Sequence, residues 1–171
     1  NDLGLCSYKK SWEIQENLLS QIINQKLNNR KNKTSLDTKN HILFVEHPPV
    51  ITIGKSGDKN NLLINKKQLE DLKIEYFKTN RGGDITFHGP GQIVVYPILD
   101  LENFFTDIHK YLRLLEETVI LTNNEFNLKT ERSSGETGVW IDPESQYARK
   151  ICSIGVKASR WVTMHGFALN V

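Results

Sequence analysis

The sequence predicts an α+β protein, a mixed β-sheet flanked by helices, and three observations carry that expectation. Strand-like segments come in runs instead of alternating one for one with helices, which argues against a doubly wound sheet. Two stretches carry the apolar period of a helix. No repeat and no Gly/Ser/Pro-rich linker divides the 171 residues, a length that suits one domain.

Residues 9–31 read as a long helix, with Ile14, Leu18 and Ile22 on one ridge and Leu19, Ile23 and Leu27 on the next. Residues 28–40 (NNRKNKTSLDTKN) are polar and rich in helix breakers, a surface loop. His41 to Val45 is a short apolar strand that the Pro48-Pro49 pair ends, because proline has no N–H for a ladder. Val50 to Ile53 is a second strand, closed by Gly54 and a Gly57-Asp58 turn. Asn65 to Leu72 reads as a short helix and Ile74 to Lys78 as a strand. Asn80 to Gln92 follows no packing pattern, and Ile93 to Tyr96 continues as a buried strand. Thr106 to Asn123 is the second long helix, with Ile108, Leu112, Leu115 and Val119 on its apolar face. Strand segments then cover Thr137 to Ile141, Arg149 to Lys157 and Val162 to Val171.

Composition narrows the function. Hydrophobic residues are 38% and charged residues 25%, a globular balance. The longest apolar run, Ile93 to Leu99, is far too short to span a bilayer, and no charged-then-apolar targeting segment opens the sequence. Two cysteines, Cys6 and Cys152, make neither a disulfide framework nor a zinc site by themselves. A reducing, cytoplasmic setting is expected. A net charge of +2 is too small to imply nucleic-acid binding. The chain begins at Asn1 and stops within the apolar run Phe167 to Val171, ends that lead us to expect a fragment.

The chemistry concentrates in three segments. Arg81-Gly82-Gly83-Asp84-Ile85-Thr86-Phe87-His88-Gly89-Pro90-Gly91-Gln92 holds four glycines beside a cation, a histidine and a glutamine. Glycines let a ligand approach backbone closely, Arg81 supplies a fixed charge, and His88 can trade a proton near neutrality. It is neither a Walker loop nor a dinucleotide fingerprint; a plain glycine-rich hairpin connection is the alternative. In the strand Ala148 to Val156, alternation places Lys150, Cys152 and Ile154 on one face. That makes Lys150 either an edge residue extending to water or a buried proton donor and acceptor. His165-Gly166-Phe167-Ala168-Leu169-Asn170 brings a second histidine to the start of an apolar strand. A metal site from His88, His165 and Cys152 lacks any ligand spacing, and no G-x-S-x-G elbow supports a serine hydrolase.

Together, Glu46 to Gly54 (EHPPVITIG), Arg81 to Tyr96, Thr137-Gly138-Val139-Trp140, Lys150 to Gly155 and His165 to Val171 resemble the lipoyl (octanoyl) transferases. The resemblance runs over nearly the whole chain, and the R-G-G-x-x-T-F-H-G-P-G-Q block is specific to the family. It implies a single domain over residues 1–171 of the biotin/lipoate protein ligase type, incomplete at its C-terminus. It also implies a two-step acyl transfer without a cofactor. Octanoyl would pass from the phosphopantetheine of acyl carrier protein to an enzyme cysteine. From there it would pass to a lysine of the lipoyl domains of 2-oxoacid dehydrogenase complexes or of the glycine cleavage H protein. Neither nucleic acid nor membrane is an implied partner. The family's catalytic lysine matches Lys150, which the resemblance implies would lower the cysteine's pKa and serve as general acid and base. Its substrate-binding stretches match Arg81–His88, Ser153-Ile154-Gly155 and Gly166-Phe167-Ala168, with His165 and Cys152 as possible support. The family's cysteine lies in a Pro-Cys-Gly segment downstream of the H-G-x-A-L-N strand, so the nucleophile is expected beyond Val171. Rivals are an ATP-dependent lipoate–protein ligase, whose loop reads S-G-G-G-x-V-x-H-D, and a non-catalytic module docking acyl carrier protein or lipoyl domains.

Overall fold

The computed structural model describes residues 1–171. Nine strands and three helices follow in the order β1 (Asp2–Leu5), α1 (Tyr8–Asn32), β2 (His41–Glu46), β3 (Val50–Ile53), α2 (Lys66–Asp71), β4 (Glu75–Lys78), β5 (Ile85–His88), β6 (Gln92–Ile98), α3 (Ile108–Glu125), β7 (Val139–Ile141), β8 (Arg149–Ser159) and β9 (Val162–Asn170). They form two mixed sheets. The larger runs β1-β2-β6-β9-β8-β7, antiparallel except for β1 on β2. The smaller runs β4-β3-β5, with β4 parallel and β5 antiparallel to β3. The α+β expectation holds, and the single expected sheet is replaced by two. No helix is long and apolar enough to cross a membrane.

Helix α1 starts where Ser7 accepts a hydrogen bond from the Lys10 N–H and ends at Lys33 in the left-handed region. Its buried stripe is Tyr8, Ser11, Gln15, Leu19, Ile22 and Lys26, while Ile14, Leu18 and Ile23 sit at the rim. Half of that stripe is polar, and each polar member has a fixed bond. Ser11 donates to the Tyr8 carbonyl, Gln15 accepts from the His165 N–H, and Lys26 pairs with buried Asp100. Leu19 and Ile22 close a core with Leu43, Val45, Val94, Tyr96, Ile98, Met164 and Ala168 on one face of the larger sheet. Helix α3, capped by Asp107, covers the other face at its β7–β8 end, where Val119 meets Val139, Cys152 and Leu169.

Two strands were not foreseen. β1 is four residues with an internal glycine, held parallel to β2, and β5 lies inside the glycine-rich block. Residues 28–32 belong to α1 and not to the following loop.

Strand β8 corrects the expected face of Cys152. Val139 pairs with Cys152, yet the next residue, Trp140, pairs with Lys150. Ile151 is therefore the extra residue of a bulge, which breaks the two-residue alternation. Cys152 turns into the core under α3, and Lys150 turns the other way.

Candidate active site

Between the two sheets lies a cavity of about 240 Å³, walled by the Arg81 loop and β5 on one side and by β8 and β9 on the other. The structure brings Arg81, Gly83, Asp84, Ile85, Thr86 and His88 to its wall. Facing them are Lys150, Ser153, Ile154 and Gly155, together with His165, Gly166, Phe167 and Ala168. Three expected residues do not line it. Gly82 spends its N–H on the Val156 carbonyl, Phe87 is half exposed on the outer side of β5, and Cys152 is in the core. The sequence reading missed Tyr8, Val94, Tyr96 and Thr137. Tyr8 had no motif to mark it; Val94, Tyr96 and Thr137 lie in segments that carry the family likeness but outside its substrate-binding stretches.

The loop is held by its own arginine. Arg81 is buried, and its guanidinium donates to the carbonyls of Gly82 (2.9 Å), Thr52 (2.9 Å) and Asp84 (2.8 Å) and to the Thr52 hydroxyl (2.8 Å). These four bonds, one from Nη1 and three from Nη2, make it a brace of the loop, while the side chain also lines the cavity. Glycines on both sides permit the fit. A Cβ on Gly54 would meet the Gly83 carbonyl oxygen at 2.2 Å, and one on Gly155 would meet that of Gly82 at 2.8 Å.

Lys150 reaches the cavity from β8 with its ammonium 3.0 Å from the Glu136 carboxylate and 4.7 Å from the centroid of the Trp140 ring. About a third of its side chain is exposed, so it extends from the strand edge to the cavity mouth. Glu116 supports this wall from α3. It is fully buried, receives the Gly138 N–H at 2.9 Å and pairs with Arg113 and Arg132, each at 2.9 Å.

Three buried histidines cluster here, His88 and His165 on the cavity wall and His47 behind them. His47 Nδ1 donates to the Cys6 carbonyl and its Nε2 accepts from the Tyr96 hydroxyl at 2.8 Å. Asn80 donates to Glu16 at 3.1 Å, which leaves the Asn80 oxygen to accept from His165 Nε2 at 2.8 Å. Glu16 also receives Trp12 and Lys157, both at 3.2 Å. Burial raises the Glu16 pKa, but the bonds from Asn80 and Lys157 outweigh it and hold the carboxyl below its ordinary value. Burial holds all three imidazoles neutral. It lowers His47, brings His88 down to about 4, and brings His165 down to about 3 with help from the Arg81 and Lys157 charges.

A pH dependence follows. An unfolded imidazole binds a proton below about pH 6.5, whereas the folded rings of His88 and His165 stay neutral down to about 4 and about 3. The unfolded chain then binds more protons, so this stability is complete above about pH 6.5 and drains away as the pH falls. At pH 5 each of these two rings should cost roughly 2 kcal/mol. Urea midpoints at pH 7.5 and 5 measure it; equal midpoints would mean that the rings protonate within the folded protein.

Cys152 is unsuited to nucleophilic attack. Burial, with the Glu116 charge adding to it, pushes its thiol up to about 12, and a thiol reacts as its thiolate. Iodoacetamide at pH 8 should leave it unmodified in the folded protein, and incubation with an octanoyl thioester should give no adduct on it. A mass spectrum showing either product would reverse this assignment. The suggested trio of His88, His165 and Cys152 does not converge either, because no cluster of three His, Cys, Asp or Glu side chains is placed to hold a metal ion.

Residues 7–171 match the family model described as "Lipoyl protein ligase A/B catalytic domain". The octanoyltransferase of Christiangramia forsetii is 63% identical over 170 residues, covering 99% of this chain and 73% of the relative. That of Flavobacterium johnsoniae is 64% identical, with the same coverage. Among solved structures, the bipartite lipoate protein ligase of Thermoplasma acidophilum superposes with a TM-score of 0.64 at 16% identity. That superposition covers 91% of this chain and 57% of the other, and it supports the fold alone. With the matched model spanning all but the first six residues and two relatives above 60% identity, the chain belongs to the lipoyl protein ligase A/B catalytic domain family.

Proposed function

We propose that this chain carries the acyl-binding and proton-transfer parts of an octanoyltransferase that acts in protein lipoylation. The observation that carries the reading is the position of Lys150, the one ammonium on the wall of a narrow cavity lined by the Arg81–His88 loop and by Gly155 to Ala168. Relatives at 63% and 64% identity named octanoyltransferase support the same reaction.

The cavity takes the acyl chain, with the thioester carbonyl at the mouth beside Lys150. The Lys150 ammonium gives a proton to the thiolate that leaves the carrier's phosphopantetheine as an enzyme thioester forms. The resulting amine then takes a proton from the ε-ammonium of a lipoyl-domain lysine, which attacks the thioester and releases the enzyme thiol. Neither Cys6 nor Cys152 supplies that thiol, since both are buried away from the cavity. A cysteine on a segment following Val171 is the proposed acyl acceptor. The lipoyl domain is the proposed final acceptor, and no cofactor is required.

The test is incubation of the full-length protein, including the proposed cysteine, with octanoyl-acyl carrier protein and a lipoyl domain, read by mass spectrometry. Octanoyl-lysine on the lipoyl domain without ATP is expected. Transfer from free octanoate that requires ATP, with ATP/pyrophosphate exchange, would replace this reading by that of a ligase.

A further inference from the structure

We infer that Gln92 is a positioning residue that fixes His88 in one tautomer, so that the cavity meets a bare ring nitrogen which accepts an N–H of the bound substrate. The chain of constraint starts at a backbone carbonyl. The Phe87 oxygen can only accept, so the nitrogen end of the Gln92 amide lies toward it, at 3.3 Å. That nitrogen also reaches the Asn170 side-chain oxygen at 2.9 Å. The amide oxygen is thereby turned to His88 Nδ1 at 2.6 Å. An amide oxygen accepts only, so Nδ1 carries the single proton of the neutral ring and Nε2 is left with its lone pair. His88 lines the cavity, and Nε2 makes no hydrogen bond within the protein.

The neighbouring ring shows the contrast. His47 is also protonated at Nδ1, toward the Cys6 carbonyl, but its Nε2 lone pair is taken by the Tyr96 hydroxyl. The lone pair of His88 is free. The titratable and charged groups that face His88 are Tyr8 of α1, stacked at 6.1 Å between centroids, His47 at 5.7 Å, and Arg81. Asp84, Tyr96, Lys150 and His165 line the same cavity. Burial keeps the ring neutral well below neutral pH, so Nε2 is a hydrogen-bond acceptor and too weak a base to carry a proton away.

The identity of the N–H rests on the proposed acyl transfer, whereas the tautomer does not. Two groups of that reaction carry an N–H: the pantetheine amides of the donor and the ε-amine of the acceptor lysine. Long-range ¹H–¹⁵N spectra of labelled protein read the tautomer directly. A protonated Nδ1 and a pyridine-like Nε2 on His88 are expected at pH 7, and the opposite tautomer or an averaged signal overturns the inference.

Gln92→Glu keeps an oxygen on Nδ1 but favours the imidazolium, which has no lone pair. Octanoyl-pantetheine should bind the wild-type protein equally at pH 6 and 8, and bind the variant about tenfold more weakly at pH 6 than at 8. If the partner is the amine, the ratio of variant to wild-type rate falls between pH 8 and 6 in aminolysis of the octanoyl thioester by N-acetyl-lysine methylamide, a ratio from which the titration of the amine itself cancels. A variant whose ratio to wild type is the same at both pH values in both assays overturns the acceptor role. Octanoyl-pantetheine that binds wild-type protein at neither pH overturns the proposed function, with the ring spectra still deciding the tautomer.

Discussion

Replacing Lys150 by arginine in the full-length protein is expected to lower octanoyl transfer to a lipoyl domain by about a hundredfold or more. Arginine retains the positive charge and can still pair with Glu136, which lies 3.0 Å from the lysine nitrogen. It holds its proton at every working pH, so it cannot give one to a departing thiolate and recover it from an attacking amine. Binding of octanoyl-pantetheine should change little, because the acyl chain is held by the walls of the cavity and not by this side chain. The loss should therefore fall on kcat. Transfer at the wild-type rate by Lys150→Arg would reduce the residue to a fixed cation at the cavity mouth.

Arg81→Met should produce the largest loss of stability, about 3 kcal/mol or more. Methionine fills much of the volume but abandons four acceptors: the carbonyls of Gly82, Thr52 and Asp84 and the Thr52 hydroxyl. Each buried acceptor left without a donor costs about 1–3 kcal/mol. Acyl-ligand affinity should fall in parallel, because Gly83, Asp84, Ile85 and Thr86 line the cavity and depend on that brace. A denaturant midpoint and a calorimetric titration measure the two effects. Wild-type stability with weakened binding would restore the reading of Arg81 as a charge that meets the substrate.

The sequence was informative where one local pattern dominates. Both long helices, the strand Val50 to Ile53 and the three terminal strands follow from period and punctuation alone. The residues converging on the cavity came from the glycine-rich block and the two strands that resemble a known family, and most of them line it. What was hidden depends on contacts distant in sequence. The stripe of α1 could not be read from hydrophobicity, because Ser11, Gln15 and Lys26 are buried for hydrogen bonds. The bracing role of Arg81 was hidden because its four acceptors are backbone and a threonine, which leave no mark in a motif. Cys152 was assigned the wrong face because the alternation rule assumes a regular strand.

The bulge in β8 also limits how this chain can change. In a regular β8, Lys150 and Cys152 would point the same way. With Ile151 inserted, one of them looks into the cavity and the other into the core. Inserting one residue in β7 between Val139 and Trp140 would give Ile151 a partner, return the strand to its two-residue rhythm and force a choice. Either the lysine is drawn under α3 against Val119 and Glu116, or the thiol is carried out to the acyl chain. A single codon thus separates a protein with its proton donor at the mouth from one with a competing thiol there. Length along this short stretch of strand is under a tighter constraint than the identity of Ile151 itself.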